Sequence, residues 1–286
     1  MSSAFKFSAQ GAEVYVPDEL ALPKALTRVT HLGVGAHQDD LEFMAFAPIL
    51  ECFGAEDKWF AGVTCTNGAG SARDSIYASY TDAQMMVVRR GEQRKAALIG
   101  EYAAQFQLNH PSSLAKDPND ELLVEDLLRI LEATRPEAVY THNLADKHDT
   151  HVAVALKLIT AIRQLPKAAR PKSLTGCEVW RDLDWMEDAD KVVMAVDGHE
   201  NLGDALMGVF DSQICGGKRY DLATRGRRKA HATYFESHAT DKSQNLIFGM
   251  DMTPLIEDDK LSPDDLIKSY MKNFQDEVLT RLKGLQ

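Results

Sequence analysis

The sequence predicts an α/β protein with a mostly parallel sheet flanked by helices and a C-terminal helical tail. Three observations carry this. Apolar runs of strand character alternate with amphipathic runs along the chain, two polar clusters each follow such a strand and precede a helix, and a strong helix start stands at Ser262.

Taken in order, residues 29–36 read as the first strand, and Leu41, Met44, Ala45, Ile49 and Leu50 then recur at helical spacing. Pro48 falls inside that run and is expected to kink it. Residues 58–66 read as a second strand, and the glycines of the 67–71 loop suit a plain strand-to-helix turn. The loop lacks the Gly-x-x-x-x-Gly-Lys arrangement of a phosphate cradle. A helix over 82–99 closed by Gly100, a weaker strand over 102–108 and an amphipathic helix over 121–134 follow. Residues 138–141 form the next strand and 151–165 the next helix, with late strands expected over 179–181 and 191–196. Residues 170–191 are the expected place for an excursion or lid. Helices are expected over 203–213 and 222–236. In the tail, Ser262 caps, Pro263 opens the helix and Asp264 and Asp265 occupy its first turn. Its stripe of Ile267, Tyr270, Met271, Phe274, Val278 and Leu282 needs a surface to cover.

A chain of 286 residues can bury a core as a single α/β domain over 1–286, with 258–286 as a C-terminal amphipathic helix. No apolar stretch reaches the length of a membrane span, and the first residues lack a signal peptide's apolar core, so a cytoplasmic protein is expected. Cys52, Cys65, Cys177 and Cys215 are scattered, which indicates neither a thiolate metal site nor a disulfide framework. A net charge of -11 argues against nucleic acid or anionic membrane as partner. The basic run Arg225 to Lys229 reads as a solvated helix face.

The chemistry lies in Ala36-His37-Gln38-Asp39-Asp40-Leu41-Glu42 and Asp146-Lys147-His148-Asp149-Thr150-His151. Both fall at the carboxyl ends of strands, where open α/β sheets keep their ligands. Three-residue spacing recurs, His37 with Asp40 and His148 with His151, and on a turn opening into a helix it brings both side chains toward one face. Two His and one Asp suit Zn²⁺ and leave a fourth position for water, with Asp39 remaining beside the metal as a base. His142, His199, His231 and His238 have no spacing partner and read as surface or satisfied core histidines, with His238 the one to test as part of a pocket wall.

These residues resemble the PIG-L/LmbE-like family of zinc-dependent de-N-acetylases, whose motifs are Ala-His-Pro-Asp-Asp-(Glu) and His-x-Asp-His. The similarity covers roughly residues 30–155, more weakly to about 248. It implies a Rossmann-like, LmbE-like fold, with His37, Asp40 and His151 as zinc ligands, Asp39 as general base and His148 as the group that stabilises the oxyanion. Arg89-Arg90-Gly91-Glu92 looks like the family's Arg-x-x-Glu segment and implies Arg89 as a substrate contact. Gln38 replaces the usual proline. Thr150 stands where the family has an aspartate that orients a histidine, and Asp146 or Asp149 is expected to substitute.

The expected function is zinc-dependent removal of the acetyl group from an N-acetylated amino sugar such as N-acetylglucosamine, or its conjugate, releasing acetate and a free amine. Another divalent transition metal would suit the same ligands. The expected partner is that small molecule, with no nucleic acid and no membrane span, and a homo-oligomer is a family-level expectation. Two alternatives stand beside it: a metal-dependent phosphoesterase, which needs further bridging carboxylates for a second ion, and a non-catalytic metabolite-binding relative.

Overall fold

Apolar runs bounded by turn residues become the strands of a central sheet in the computed structural model, which describes residues 6–286. β1 (Glu13–Tyr15) is a short edge strand and α1 (Leu22–Thr27) carries Pro23 in its first turn, where a missing N–H costs nothing. β2 (His31–Gly35) is buried throughout. Leu32 and Val34 enter the core on one face, while Gly33 and Gly35 lie against the other. A Cβ on Gly35 would come within 3.1 Å of the Asp40 Cβ, so glycine there lets the next helix start against the strand.

The apolar run after β2 splits into α2 (Asp40–Met44) and α3 (Phe46–Cys52). The break falls at Ala45, with φ -108° and ψ 27°, rather than at Pro48. A proline ring crowds the carbonyl four residues back, here that of Met44, so the helix stops there. β3 (Phe60–Thr66) leads to α4 (Asp82–Ile99), where Thr81 and Gln84 cap each other's backbone N–H reciprocally. β4 (Ala104–His110), α5 (Ser112–Lys116), α6 (Leu122–Thr134), β5 (Ala138–His142) and α7 (Asp149–Gln164) continue the alternation.

The second half departs further from expectation. The strand expected over 179–181 is absent, and β6 (Ser173–Cys177) lies six residues earlier, after Pro171. β7 (Lys191–Ala195) is followed by α8 (Glu200–Gly208) and α9 (Asp211–Ile214), which divide the helix expected over 203–213. α10 (Tyr220–Tyr234) precedes β8 (Leu246–Asp251), a strand not anticipated, and α11 (Pro254–Glu257). α12 (Pro263–Leu285) begins as expected, with Ser262 Oγ accepting from the Asp265 N–H at 3.1 Å. Its stripe is covered only near its start. Leu266 is buried and the Tyr270 hydroxyl donates to the Asp251 carbonyl, whereas Met271 and Leu282 are more than half exposed.

The sheet order is β1-β4-β3-β2-β5-β6-β8-β7. β4, β3, β2, β5 and β6 run parallel, while β1, β7 and β8 pair antiparallel. The chain leaves β2 for β3 on one side and returns to place β5 on the other, so a topological switch point lies between β2 and β5. A crevice opens at such a point beyond the carboxyl ends of the strands. No helix among the described residues is long and apolar enough to cross a membrane.

Candidate metal centre and active-site cleft

The first polar cluster leaves β2 and turns into α2, and the second leaves β5 and turns into α7, so the switch point brings them face to face. His37 Nδ1 and His151 Nε2 stand 3.3 Å apart. Asp40 reaches both, with Oδ2 at 3.3 Å from His37 Nδ1 and Oδ1 at 3.4 Å from His151 Nε2. The His37 backbone N–H donates to Asp40 Oδ2 at 2.7 Å and fixes the carboxylate from below.

These distances test whether a metal fits. A tetrahedral ion with ligands at about 2.0–2.1 Å has neighbouring donors about 3.3–3.4 Å apart, which is the spacing of the two imidazole nitrogens and the distance from each of them to the Asp40 oxygen that faces it, Oδ2 for His37 and Oδ1 for His151. Two imidazole nitrogens that face each other share at most one proton between them, but both can face a cation. His151 Nδ1 lies 3.5 Å from Asp146 Oδ2, on the side away from His37. Asp146 is itself held, accepting from the backbone N–H groups of His148 and Trp180. A carboxylate behind a ligating imidazole fixes its tautomer and raises its basicity. Asp149, the other acid considered for this place, is exposed in the first turn of α7.

His148 lies beside His37 and His151, with ring centroids 5.0 and 4.4 Å away. Its Nδ1 accepts from the Thr150 N–H at 3.3 Å, so the neutral ring carries its proton on Nε2. Burial, together with the nearby His151 and His37, holds its pKa below the ordinary imidazole value. A neutral His148 can therefore donate without first being protonated.

Asp39 occupies a strained backbone position, φ 93° and ψ -30°, which a non-glycine residue adopts only where its surroundings compel it. Its N–H donates to Gln93 Oε1 at 3.2 Å, and Gln93 in turn donates to Glu42 Oε1 at 2.8 Å, which also accepts from the Tyr102 hydroxyl. Arg89 holds the other side. Its NH1 lies 3.4 Å from Asp39 Oδ2 and its NH2 donates to the Gln38 carbonyl. The two aspartates thus part company: Asp40 faces the imidazoles and Asp39 faces the guanidinium. Burial raises Asp39 to about 6, with Arg89 opposing and the Asp40 charge adding to the rise. Burial also raises Glu42, to about 8, against its bonds to Tyr102 and Gln93.

The cleft in front of these groups has a volume of about 460 Å³, with the 68–72 loop, Ser112 and Lys116 on one side and Trp180, Lys218 and Tyr220 on the other. At Gly68 (φ 71°) a Cβ would lie 2.6 Å from the Gln38 side-chain oxygen, so the loop closes over Gln38 only as glycine. Arg89, expected as a substrate contact, is 2 % exposed and is engaged with Asp39 and Gln38. Glu92, three residues further along α4, accepts from the N–H and hydroxyl of Ser212.

Sequence reasoning overlooked His142. It is fully buried, stacks on His151 with centroids 3.8 Å apart, and its Nε2 lies 3.3 Å from Asp40 Oδ2. That nitrogen accepts from the Ala36 N–H at 2.9 Å, so its lone pair is engaged and His142 packs behind the donor set rather than joining it. Its position as the last residue of β5, the strand beside β2, is the signal that could have found it. His231 is a satisfied core histidine on Glu178, whereas His238 is exposed and does not line the cleft. Arg228 corrects the reading of the 225–229 run as a solvated face, being buried with its guanidinium on the carbonyls of Glu42 and Phe43.

Residues 32–162 match the family model described as PIG-L, GlcNAc-PI de-N-acetylase. No curated protein matches the chain in sequence. Among solved structures, the fold is similar to that of a conserved protein from Thermus thermophilus (19% identity, TM-score 0.58, covering 78% of this chain and 94% of that one). It is similar to N,N'-diacetylchitobiose deacetylase from Pyrococcus horikoshii (15% identity, TM-score 0.63, 80% and 85%). It is also similar to GalB, the 4-carboxy-2-hydroxymuconate hydratase from Pseudomonas putida (14% identity, TM-score 0.58, 78% and 96%). One fold thus carries a deacetylase and a hydratase, so the chemistry has to be argued from the site.

Proposed function

We propose that the protein, whose residues 32–162 match the PIG-L de-N-acetylase family model, is a zinc-dependent hydrolase that removes the acetyl group from an N-acetylated amino sugar or its conjugate. The observation that supports this reading is the convergence of His37, Asp40 and His151, with the two imidazole nitrogens 3.3 Å apart and each 3.3–3.4 Å from one oxygen of the Asp40 carboxylate, beside a separate buried carboxylate, Asp39. His37, Asp40 and His151 would hold the ion. When bound, Zn²⁺ supplies Lewis acidity and lowers the pKa of a water toward about 7.

The protein's own groups then divide the proton work. Asp39, raised toward the working pH by burial, takes a proton from water, and Arg89 keeps its carboxylate aimed at the cleft. In this reading Arg89 positions the base instead of gripping the sugar. His148 Nε2–H donates to the oxygen that gains charge as the amide carbonyl is attacked; one such donor typically contributes about 2.7–4 kcal/mol. Asp39 returns its proton to the departing nitrogen, and the products are acetate and a free amine. Asp146 orients His151 in place of the family's aspartate. A two-ion phosphoesterase finds little support, because the two groupings of possible ligands among the described residues, His37 with His148 and His151 and Asp40 with His142 and His151, compete for His151 and hold a single carboxylate between them, Asp40.

The test is an acetate-release screen of the zinc-loaded protein against N-acetylhexosamines, their oligomers and conjugates. Release that a chelator abolishes and added Zn²⁺ restores is expected. Phosphodiester cleavage with no amide hydrolysis across the panel would overturn the reading.

A further inference from the structure

Beyond Trp180, a second cavity of about 240 Å³ adjoins the metal cleft, between residues 178–180, α10 and the start of β8. Phe43, Val179, Trp180, Lys218 and Tyr220 border both spaces, and the Trp180 ring lies 6.3 Å from that of His148. In a chain of net charge -11 this cavity is basic, with Lys218, Arg219, Arg227 and Arg228 in its wall.

The internal partners of those cations account for little of the charge. Arg219 is paired with Asp221. Lys218, Arg227 and Arg228 have no carboxylate within ion-pair distance among the described residues. The Lys218 ammonium lies over Trp180, 5.3 Å from the ring centroid, and Arg227 NH1 donates to the Val179 carbonyl at 2.6 Å. Arg228, only 6 % exposed, lies over Phe46 and reaches only backbone carbonyls, while its Nε has no partner. Burial pulls its pKa down to about 10, opposed only by the field of Asp204, which is itself paired with Arg225. The one acid in the wall, Glu178, is already compensated by His231 and by the backbone N–H groups of Leu183 and Phe248. A buried cation without a counter-ion is costly, and an arriving anion relieves that cost.

We propose that this cavity is a subsite for an anionic group, a carboxylate or a phosphate, attached to the N-acetylated substrate. The acetamido group enters the metal cleft while the attached group passes Trp180 and meets Lys218 and Arg227, with the field of Arg228 behind them. The proposal rests on the de-N-acetylase reading for the identity of the sugar, but not for the binding of the anion.

The experiment compares three probes: methyl N-acetylglucosaminide, N-acetylglucosamine 1-phosphate and an N-acetylglucosaminide of glycolic acid. Binding is measured by calorimetry on metal-loaded and metal-stripped protein, and acetate release on the former. At least one anionic probe should bind about tenfold or more tightly than the neutral one, with and without metal, and the comparison of phosphate with carboxylate identifies the group preferred. Lys218→Gln, Arg227→Gln and their double variant should shrink that ratio stepwise toward unity; Lys218 is exposed, so its substitution leaves the core intact. Equal binding of all three probes, or a preference that persists in the double variant, overturns the subsite. Anion-selective binding without acetate release from any probe supports the subsite and overturns the de-N-acetylase reading instead.

Discussion

His231 and His151 are both buried imidazoles beside a carboxylate, yet their surroundings have opposite character. His231 Nε2 meets both Glu178 oxygens at 3.0 and 3.1 Å, the remaining capacity of Glu178 is taken by two backbone N–H groups, and the ring stacks on Phe248. Donors and acceptors there are matched. His151 is stacked between His142 and His148 and points its Nε2 at His37 Nδ1 and Asp40, so three potential ligand groups converge on one space at the cleft. His110 likewise meets one carboxylate, Asp126, which is shared with Ser8 and Arg129, while its Nδ1 is buried without a partner and it belongs to no grouping of possible ligands among the described residues. Burial and charge alone do not separate a structural histidine from a functional one. What separates them is whether several potential ligand atoms converge on a point that a cation can occupy.

The largest effect expected on the open side of this comparison is at Asp39. Asp39→Ala should keep its zinc and lower kcat by roughly a hundred- to ten-thousandfold, the range of a proton-transfer group. Steady-state acetate release would show it, and a near-normal kcat would move the base elsewhere. On the closed side, His231→Ala should lower stability by about 3–5 kcal/mol, as removal of one partner from a buried pair does, while zinc content stays at the wild-type level. Chemical denaturation alongside elemental analysis measures both, and loss of zinc in that variant would blur the distinction between the clusters.

A smaller contrast lies within the second motif. Asp146→Asn should reduce activity or metal affinity by about ten- to a hundredfold, whereas Asp149→Asn, at an exposed position, should stay within about twofold in the same assay. If the two variants behave alike, Asp146 is not what orients His151. The smallest effect concerns acid. Burial would raise the Asp126 pKa, but its bonds to His110 and Ser8 outweigh burial and hold it below the usual carboxylate value. A carboxylate depressed in this way contributes stability above its unfolded pKa of about 3.9, and that contribution fades as pH falls through the lower folded value. Denaturation between pH 2 and 6 should therefore show a steeper acid loss for wild type than for Asp126→Asn.

How much of this was legible in the sequence follows the locality of each signal. The strands over 29–36 and 58–66 and the clusters at their ends are local patterns, and each lies within a residue or two of where the residues alone put it. The helix over 82–99 carries its own cap. β8 and β6 are different, because β8 is held by antiparallel pairing with β6 and β7 and β6 is held between β5 and β8, all distant in the chain, and the short run Leu246–Asp251 gives no local sign of it. His142 was missed for the same reason: its companions come from β2 and α7 through the topology. Arg228 was misread because a run of five residues with four cations looks solvated until α10 is laid against α2 and α8.

If His37, Asp40 and His151 hold a single ion, the zinc stoichiometry of wild type and of His151→Ala must differ. After reconstitution and removal of excess metal, elemental analysis should give about one zinc per chain for wild type and little for the variant. Full zinc occupancy in His151→Ala, or about two ions per wild-type chain, would contradict the account.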